Sequence, residues 1–258
     1  RSNRSPGGAL MPSSPGLPFT GVASARARVS FDIEIANEID LRPGEDLDQH
    51  GPFDISCAAA VTDRGELKHW YAKDAAGTVQ RSLDAAGARA VLWHLREEQR
   101  RGSMICAWNG LSFDLRWLGH AAQDMPLARE VALELYDPMF QFFVARGFPV
   151  GLASVAEGLG LAEKKLMHGA DAPKEWARGN HQAVLDYVAG DCSLTDGVIS
   201  RILDAGEIRW RTKKGTISVE PMRKLMPVRE LLDAPLPDTS WMSVPLPRAK
   251  FTRWLDCN

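Results

Sequence analysis

The sequence predicts an α/β fold, a mixed central sheet flanked by helices. Three observations carry that prediction. Arg28 to Ile35, Asp54 to Thr62 and Glu66 to Ala72 are short apolar segments separated by turn signals, so they read as three strands in succession. A helical pattern then gives way to a fourth, buried strand, Ser103 to Trp108. The longest helical pattern, Asn180 to Leu203, comes late in the chain. Strands joined in sequence pair antiparallel, while a strand reached across a helix can pair parallel, so the sheet is mixed.

Taken in order, Arg1 to Pro18 is rich in Ser, Pro and Gly and lacks the apolar core of a signal peptide. Residues 1–27 are expected to be a disordered tail, with Met11 a candidate natural start. Val29, Phe31, Ile33 and Ile35 alternate with Asp32 and Glu34, the period-2 signature of a strand. Ala36 to Pro52 carries Pro43-Gly44 and Gly51-Pro52 and is expected to be a loop. Asp63-Arg64-Gly65 turns the second strand into the third.

Ser82-Leu83-Asp84 opens a helix whose apolar members are Ala88, Val91, Leu92 and Leu95. After Asn109-Gly110, Ser112 to Ala122 reads as a helix with Ser112 as its cap. Leu127 to Leu135 reads as another, ended by Tyr136-Asp137-Pro138, with Asp137 taken as a turn residue. Met139 to Val144 fits either strand or helix, and Gly151 to Leu159 a short helix. Glu163-Lys164-Lys165 leads into a loop running through Pro173. Ile208 to Val219, with Lys214-Gly215 at its centre, reads as a hairpin. The end is rich in Pro and carries Trp241 and Trp254.

Composition excludes several classes. The chain has 258 residues, 45% hydrophobic and 25% charged, ordinary for a globular protein. No apolar run approaches the roughly 20 residues of a membrane helix. Cys57, Cys106, Cys192 and Cys257 are scattered, which argues against a zinc site or a disulfide framework and fits a reducing cytoplasm. A net charge of −2 argues against a simple nucleic-acid-coating protein.

The chemistry points to carboxylates. Asp32 and Glu34 lie side by side on one strand face, where like charges disfavour each other's ionisation unless a cation joins them. Asn109 to Asp114 follows, with Asp114 in the first turn of a helix. Tyr187 and Asp191 stand at i and i+4 and share a face of the long helix. Taken separately, these residues also suit a solvated strand face, a helix-start acid and a core-edge Tyr. Asp186 and Asp196 read as surface acids, His181 as a helix-start residue and His168 as part of a surface loop. Arg209, Arg211, Lys213 and Lys214 interleave with Trp210, either as a nucleic-acid contact or as an ordinary charged hairpin. Trp241 to Arg253 reads as a strap on the core or as a guide for single strands.

The ordered motifs D-x-E, N-x-x-x-F-D and Y-x-x-x-D resemble those of the DEDD superfamily of 3′–5′ exonucleases, tyrosine subtype. The middle motif is most similar to that of family B DNA polymerase proofreading domains and their stand-alone relatives. The resemblance implies a ribonuclease H-like exonuclease domain over residues 28–205, followed at 206–258 by a hairpin and a Pro/Trp-rich extension packing on the core. It implies that Asp32, Glu34, Asp114 and Asp191 hold two divalent cations, Mg²⁺ or Mn²⁺, and that Tyr187 positions the attacking water. Asn109 and Phe113 would shape the substrate side, with Trp210, Arg211 and Lys213 as further substrate contacts. The implied partner is the 3′ end of a single nucleic-acid strand, DNA rather than RNA by preference, and no membrane. The alternative is a catalytically silent nucleic-acid-binding module of the same fold.

Overall fold

The structure is a computed structural model that describes residues 26–161 and 167–256. Residues 1–25 of the expected tail, Glu163-Lys164-Lys165 and Cys257 lie outside the described residues. Arg26 and Ala27, expected in that tail, are instead tied to the fold: Arg26 donates to Gly102 O and the Tyr136 hydroxyl, and Ala27 O accepts from Met104 N.

Strands β1 (Arg28–Ile35), β2 (Ile55–Thr62), β3 (Leu67–Tyr71) and β4 (Met104–Cys106) form one sheet in the order β3-β2-β1-β4. β1 pairs antiparallel with β2 and β2 with β3, while β4 runs parallel to β1. A parallel bridge from Cys106 to Tyr136 continues the sheet beyond β4. This mixed sheet, with helices on both faces, is the ribonuclease H-like arrangement that the motifs imply.

Helices α1 (Ala85–Arg100), α2 (Asp114–Ala122), α3 (Met125–Leu133) and α4 (Pro138–Arg146) cover one face. Val29, Phe31, Ile33 and Ile35 of β1 and Ala58 and Ala60 of β2 point into that layer with Val91, Leu95, Leu115, Leu118 and Phe140. The opposite face, carrying Cys57, Ala59 and Val61, meets α6 (Ala172–Ala177) and α7 (His181–Ala205) through Trp176, Val184 and Val188. β2 is therefore buried on both faces, as its run of small apolar residues allows. α5 (Leu152–Gly158), the end of α7 and the β5 (Glu207–Arg211) – β6 (Ile217–Pro221) hairpin build a further apolar cluster. A short helix α8 (Val228–Leu231) follows, and α9 (Ala249–Asp256) returns Phe251 and Trp254 to the main core, where Trp254 Nε1 donates to Leu111 O at 2.9 Å.

Local chemistry explains where the elements differ from expectation. Asp84 caps α1 by accepting from Gly87 N at 2.7 Å, as its position before the apolar pattern predicts. Ser112 is not a cap: its hydroxyl donates to Asn109 Oδ1 at 2.7 Å, and α2 starts two residues later at Asp114. α3 starts earlier than expected because Asp124 accepts from Leu127 N and Pro126 sits in the first turn. Met139 to Val144 is helical, begun by Pro138 and ended by Gly147 at φ 79°. Asp137 is no simple turn residue but the side-chain cap of that helix, accepting from Met139 N and Phe140 N. Ala172 and Pro173 belong to α6 rather than to a loop, with Pro at the first turn. Asp196 is not a surface acid: it pairs with Arg28 at 2.9 Å and fastens the start of β1 to α7.

Candidate metal centre

Strand alternation sends Asp32 and Glu34 to the face covered by α7. Their cross-strand partners on β2 are Ala59 and Cys57. Small side chains opposite two acids leave room above the strand that larger residues would fill. α7 crosses that room and delivers Tyr187 and Asp191 one turn apart. Carboxylate oxygens of Asp32, Glu34 and Asp191 all lie within 4.8 Å of one another. Residues separated by most of the domain thus meet in a single cluster.

Asp114 reaches the same place from the other side of β1. Its Oδ1 accepts from the Ile33 amide at 3.2 Å, and it shares a hydrogen bond with Asp32. The parallel pairing of β4 beside β1 brings the chain out at the acidic end of the sheet, so Asn109 to Asp114 passes next to Asp32. Asp114 is only 3% exposed.

The electrostatics are those of a site built for positive charge. Burial pushes the Asp32 pKa well above the ordinary carboxylate range, and Asp114, Glu34 and Asp191 push it further. Burial raises Asp114 to about 7, although hydrogen bonds from Asp32 and the Ile33 amide hold it down. Tyr187 rises above its ordinary phenol value through burial and the nearby Asp191 and Glu34, so its hydroxyl keeps its proton. The four acids offer only hard oxygen donors, which suit Mg²⁺ and Mn²⁺ rather than soft metals. The donor set and its unfavourable mutual repulsion fit a bound divalent cation.

The acids open into a cavity of about 310 Å³. Asn109 and Phe113 stand on its wall together with Trp108. Gly169 faces the Tyr187 hydroxyl, and an added Cβ there would lie 3.6 Å from it. Ile39, Leu41 and Leu47, from the loop after β1, close another side. That apolar contribution escaped the sequence reading, because the loop shows no periodicity.

The expected substrate contacts on the hairpin fare differently. Trp210 is only 7% exposed and packs edge-on against Phe142 at 4.9 Å between ring centroids. Its ring belongs to the core and has no free face for a base, which corrects the expectation. Arg211 is exposed but pairs with Glu157 at 2.6 Å, and Lys213 is exposed near the hairpin tip. None of the three lines the acidic cavity. Trp210→Ala is therefore expected to cost about 3–5 kcal/mol of stability, as large aromatic truncations do. Chemical denaturation checks this; a variant of wild-type stability that binds nucleic acid more weakly would restore the stacking role. His181 opens α7 and meets Trp176 edge-on at 4.6 Å, and His168 is exposed before Gly169.

Cys57, Cys106 and Cys192 are buried thiols, and burial raises the pKa of each. No helix among the described residues is long and apolar enough to cross a membrane.

Among solved structures, the chain is similar to the family B DNA polymerase of the hyperthermophilic archaeon Pyrobaculum calidifontis. The TM-score is 0.47 and the identity 17%, over 69% of this chain and 25% of that one. The similarity thus spans about a quarter of the polymerase. No protein-family model and no curated protein matches the chain.

Proposed function

We propose that this protein is a metal-dependent 3′–5′ exonuclease of the DEDD superfamily, tyrosine subtype, releasing nucleoside 5′-monophosphates from single-stranded nucleic acid. One observation carries the reading: oxygens of Asp32, Glu34 and Asp191 lie within 4.8 Å of one another, and Asp114 is hydrogen-bonded to Asp32. Two acids on one strand, and one on each of two helices, have no packing reason to converge under cover. Their convergence is electrically unfavourable until cations neutralise it.

Asp32, Glu34 and Asp191 would hold one divalent cation, and Asp32 with Asp114 a second. When bound, the cations supply a water acidic enough to act near neutral pH and a home for charge on the departing 3′ oxygen. The protein does the rest by position. Tyr187, with its proton retained, donates a hydrogen bond that orients the attacking water rather than acting as a base. Asn109 and Phe113 form the wall that the terminal nucleotide meets, so its sugar and base select a 3′ end. Arg211 and Lys213 would serve only a strand long enough to extend from the cavity to the hairpin.

The test is a time course on 5′-labelled single-stranded DNA and on RNA of the same sequence, with Mg²⁺ or Mn²⁺. The expected result is a ladder shortening from the unlabelled end, stopped by EDTA, with circular single strands resistant. Circles degraded as fast as linear strands, or no mononucleotide release with either metal, would remove the proposal. The second outcome would favour a silent binding module. Tyr187→Phe is expected to lower turnover about 10- to 100-fold, the usual cost of losing an orienting partner at a metal site. Calorimetry should find its Mn²⁺ affinity unchanged, since the phenol is not among the proposed ligands. A large loss of Mn²⁺ affinity would make Tyr187 a ligand instead.

A further inference from the structure

We infer that Asp137 is the positioning residue of the proposed metal centre, holding the Asn109–Asp114 segment so that Asp114 meets Asp32. The inference rests on the exonuclease reading for its reaction, but its bonds are independent of it. Asp137 is 1% exposed. Its Oδ1 accepts from the amides of Asn109, Met139 and Phe140, and its Oδ2 accepts from Leu111, each at 3.1 Å.

Two of those donors belong to α4 and are ordinary capping. The other two lie 26 and 28 residues earlier, in the link between β4 and α2. Capping does not require them. Ser, Thr or Asn can cap a helix, but only a carboxylate presents two acceptor oxygens and no donor. A buried ionised carboxylate is costly, and burial raises this one to about 6, with the four N–H groups opposing that rise. The arrangement is therefore expensive for a cap and well suited to a tie.

The segment it holds needs holding. Asn109 has φ 69°, a left-handed conformation disfavoured for residues with a Cβ. At Gly110 an added Cβ would lie 2.4 Å from the Ala107 side chain, so the turn is close-packed. Asn109 and Phe113 stand on the cavity wall, and Asp114 reaches across to the Ile33 amide. A chain of contacts thus runs from Asp137 through the Asn109 and Leu111 amides to Asp114 and on to β1. Loosening its first link moves Asp114 relative to Asp32 without touching either.

Asp137→Ser and Asp137→Asn separate the two roles. Both can cap α4; Ser is too short to bridge, and Asn must aim an NH₂ at one of the facing amides. In the full chain, both are expected to keep wild-type far-ultraviolet circular dichroism and a cooperative melt. Calorimetric Mn²⁺ affinity and turnover on linear single-stranded DNA should each fall about 10- to 100-fold, with KM for the strand nearly unchanged. Ile202→Val, in the cluster beneath the hairpin, lowers stability elsewhere and should change neither quantity. Wild-type Mn²⁺ affinity and turnover in either Asp137 variant would overturn the inference, as would an equal loss in Ile202→Val.

Hydrogen exchange on the wild-type chain needs no variant. The Asn109 and Leu111 amides, although in a loop, should exchange as slowly as the helical amides of α4; exchange at open-loop rates overturns the inference. If the wild-type chain binds Mn²⁺ but releases no nucleotide, the exonuclease reading fails and the Mn²⁺ arm still decides on Asp137. A wild-type chain that takes up no Mn²⁺ removes both.

Discussion

Asp32→Asn is expected to reduce nucleotide release to below about a thousandth of wild type while making the metal-free protein more stable. The two halves have one cause. Asp32 is pressed on by burial and by Asp114, Glu34 and Asp191, so its charge is the most unfavourable in the cluster. An amide of the same shape removes that charge and can still hydrogen-bond to Asp114. The loss of activity follows because Asp32 is the acid that both proposed cations would share. Removing one electrostatic stabiliser of a transition state costs about 10²- to 10³-fold, and losing a shared ligand should cost at least the upper figure. Rate measurements and thermal melts in EDTA check the pair. A variant that keeps a tenth of wild-type activity would exclude Asp32 as a shared ligand. One that melts lower than wild type in EDTA would show the cluster is not repulsive.

The second large effect is on stability as a function of pH. Without metal, the protein is expected to lose stability as pH rises from about 4 to about 8. Asp114 is raised by burial from 3.8 to about 7, Asp137 to about 6, and Asp32 well above the ordinary range. A raised pKa means the folded state binds more protons than the unfolded chain between the two values. Stability from these groups is therefore fully present below the unfolded pKa near 4 and is lost as pH climbs through the folded values. Most globular proteins behave oppositely over the acid half of that range, because their paired carboxylates have lowered pKa values.

Divalent cations should cancel the effect. A cation replaces the protons that the acids would otherwise hold, and at a hundredfold excess over its Kd it adds about 2.7 kcal/mol. Melting curves across this pH range, with EDTA and with Mg²⁺ or Mn²⁺, test the expectation. A metal-free melting temperature that rises from pH 5 to 8, or one indifferent to added cations, would show the acids are comfortably solvated. The Asp32→Asn protein should show a shallower pH dependence, since it has lost one proton-binding group.

β1 was legible to its exact ends, because period-2 alternation of Val29, Phe31, Ile33 and Ile35 needs no partner to be recognised. The long helix α7 was legible for the same reason at period 3.6. Asp32, Glu34, Tyr187 and Asp191 lie on those two periodic elements and Asp114 at the start of α2, and all five line one cavity.

Trp210 was misplaced because a Trp between arginines reads the same whether its ring faces a base or Phe142. Only the packing of the hairpin on α4 and α5 decides that. Asp137 was underrated because two of its four donors come from a different part of the chain. An Asp before Pro signals a helix cap, and the sequence carries no mark of the Asn109 and Leu111 amides aimed at it. Asp196 likewise looked like a solvent-facing acid until Arg28 was seen beside it.

What the amino-acid order determined alone is the most periodic elements, β1, α1 and α7, and which faces of β1 and α7 carry acids, since side-chain alternation follows from backbone geometry within a single segment. What only the folded chain decided is how closely those acids stand, which aromatic rings are buried, and which backbone amides a carboxylate must satisfy. Those depend on strand register and helix docking, where residues far apart in the chain share one low-dielectric space.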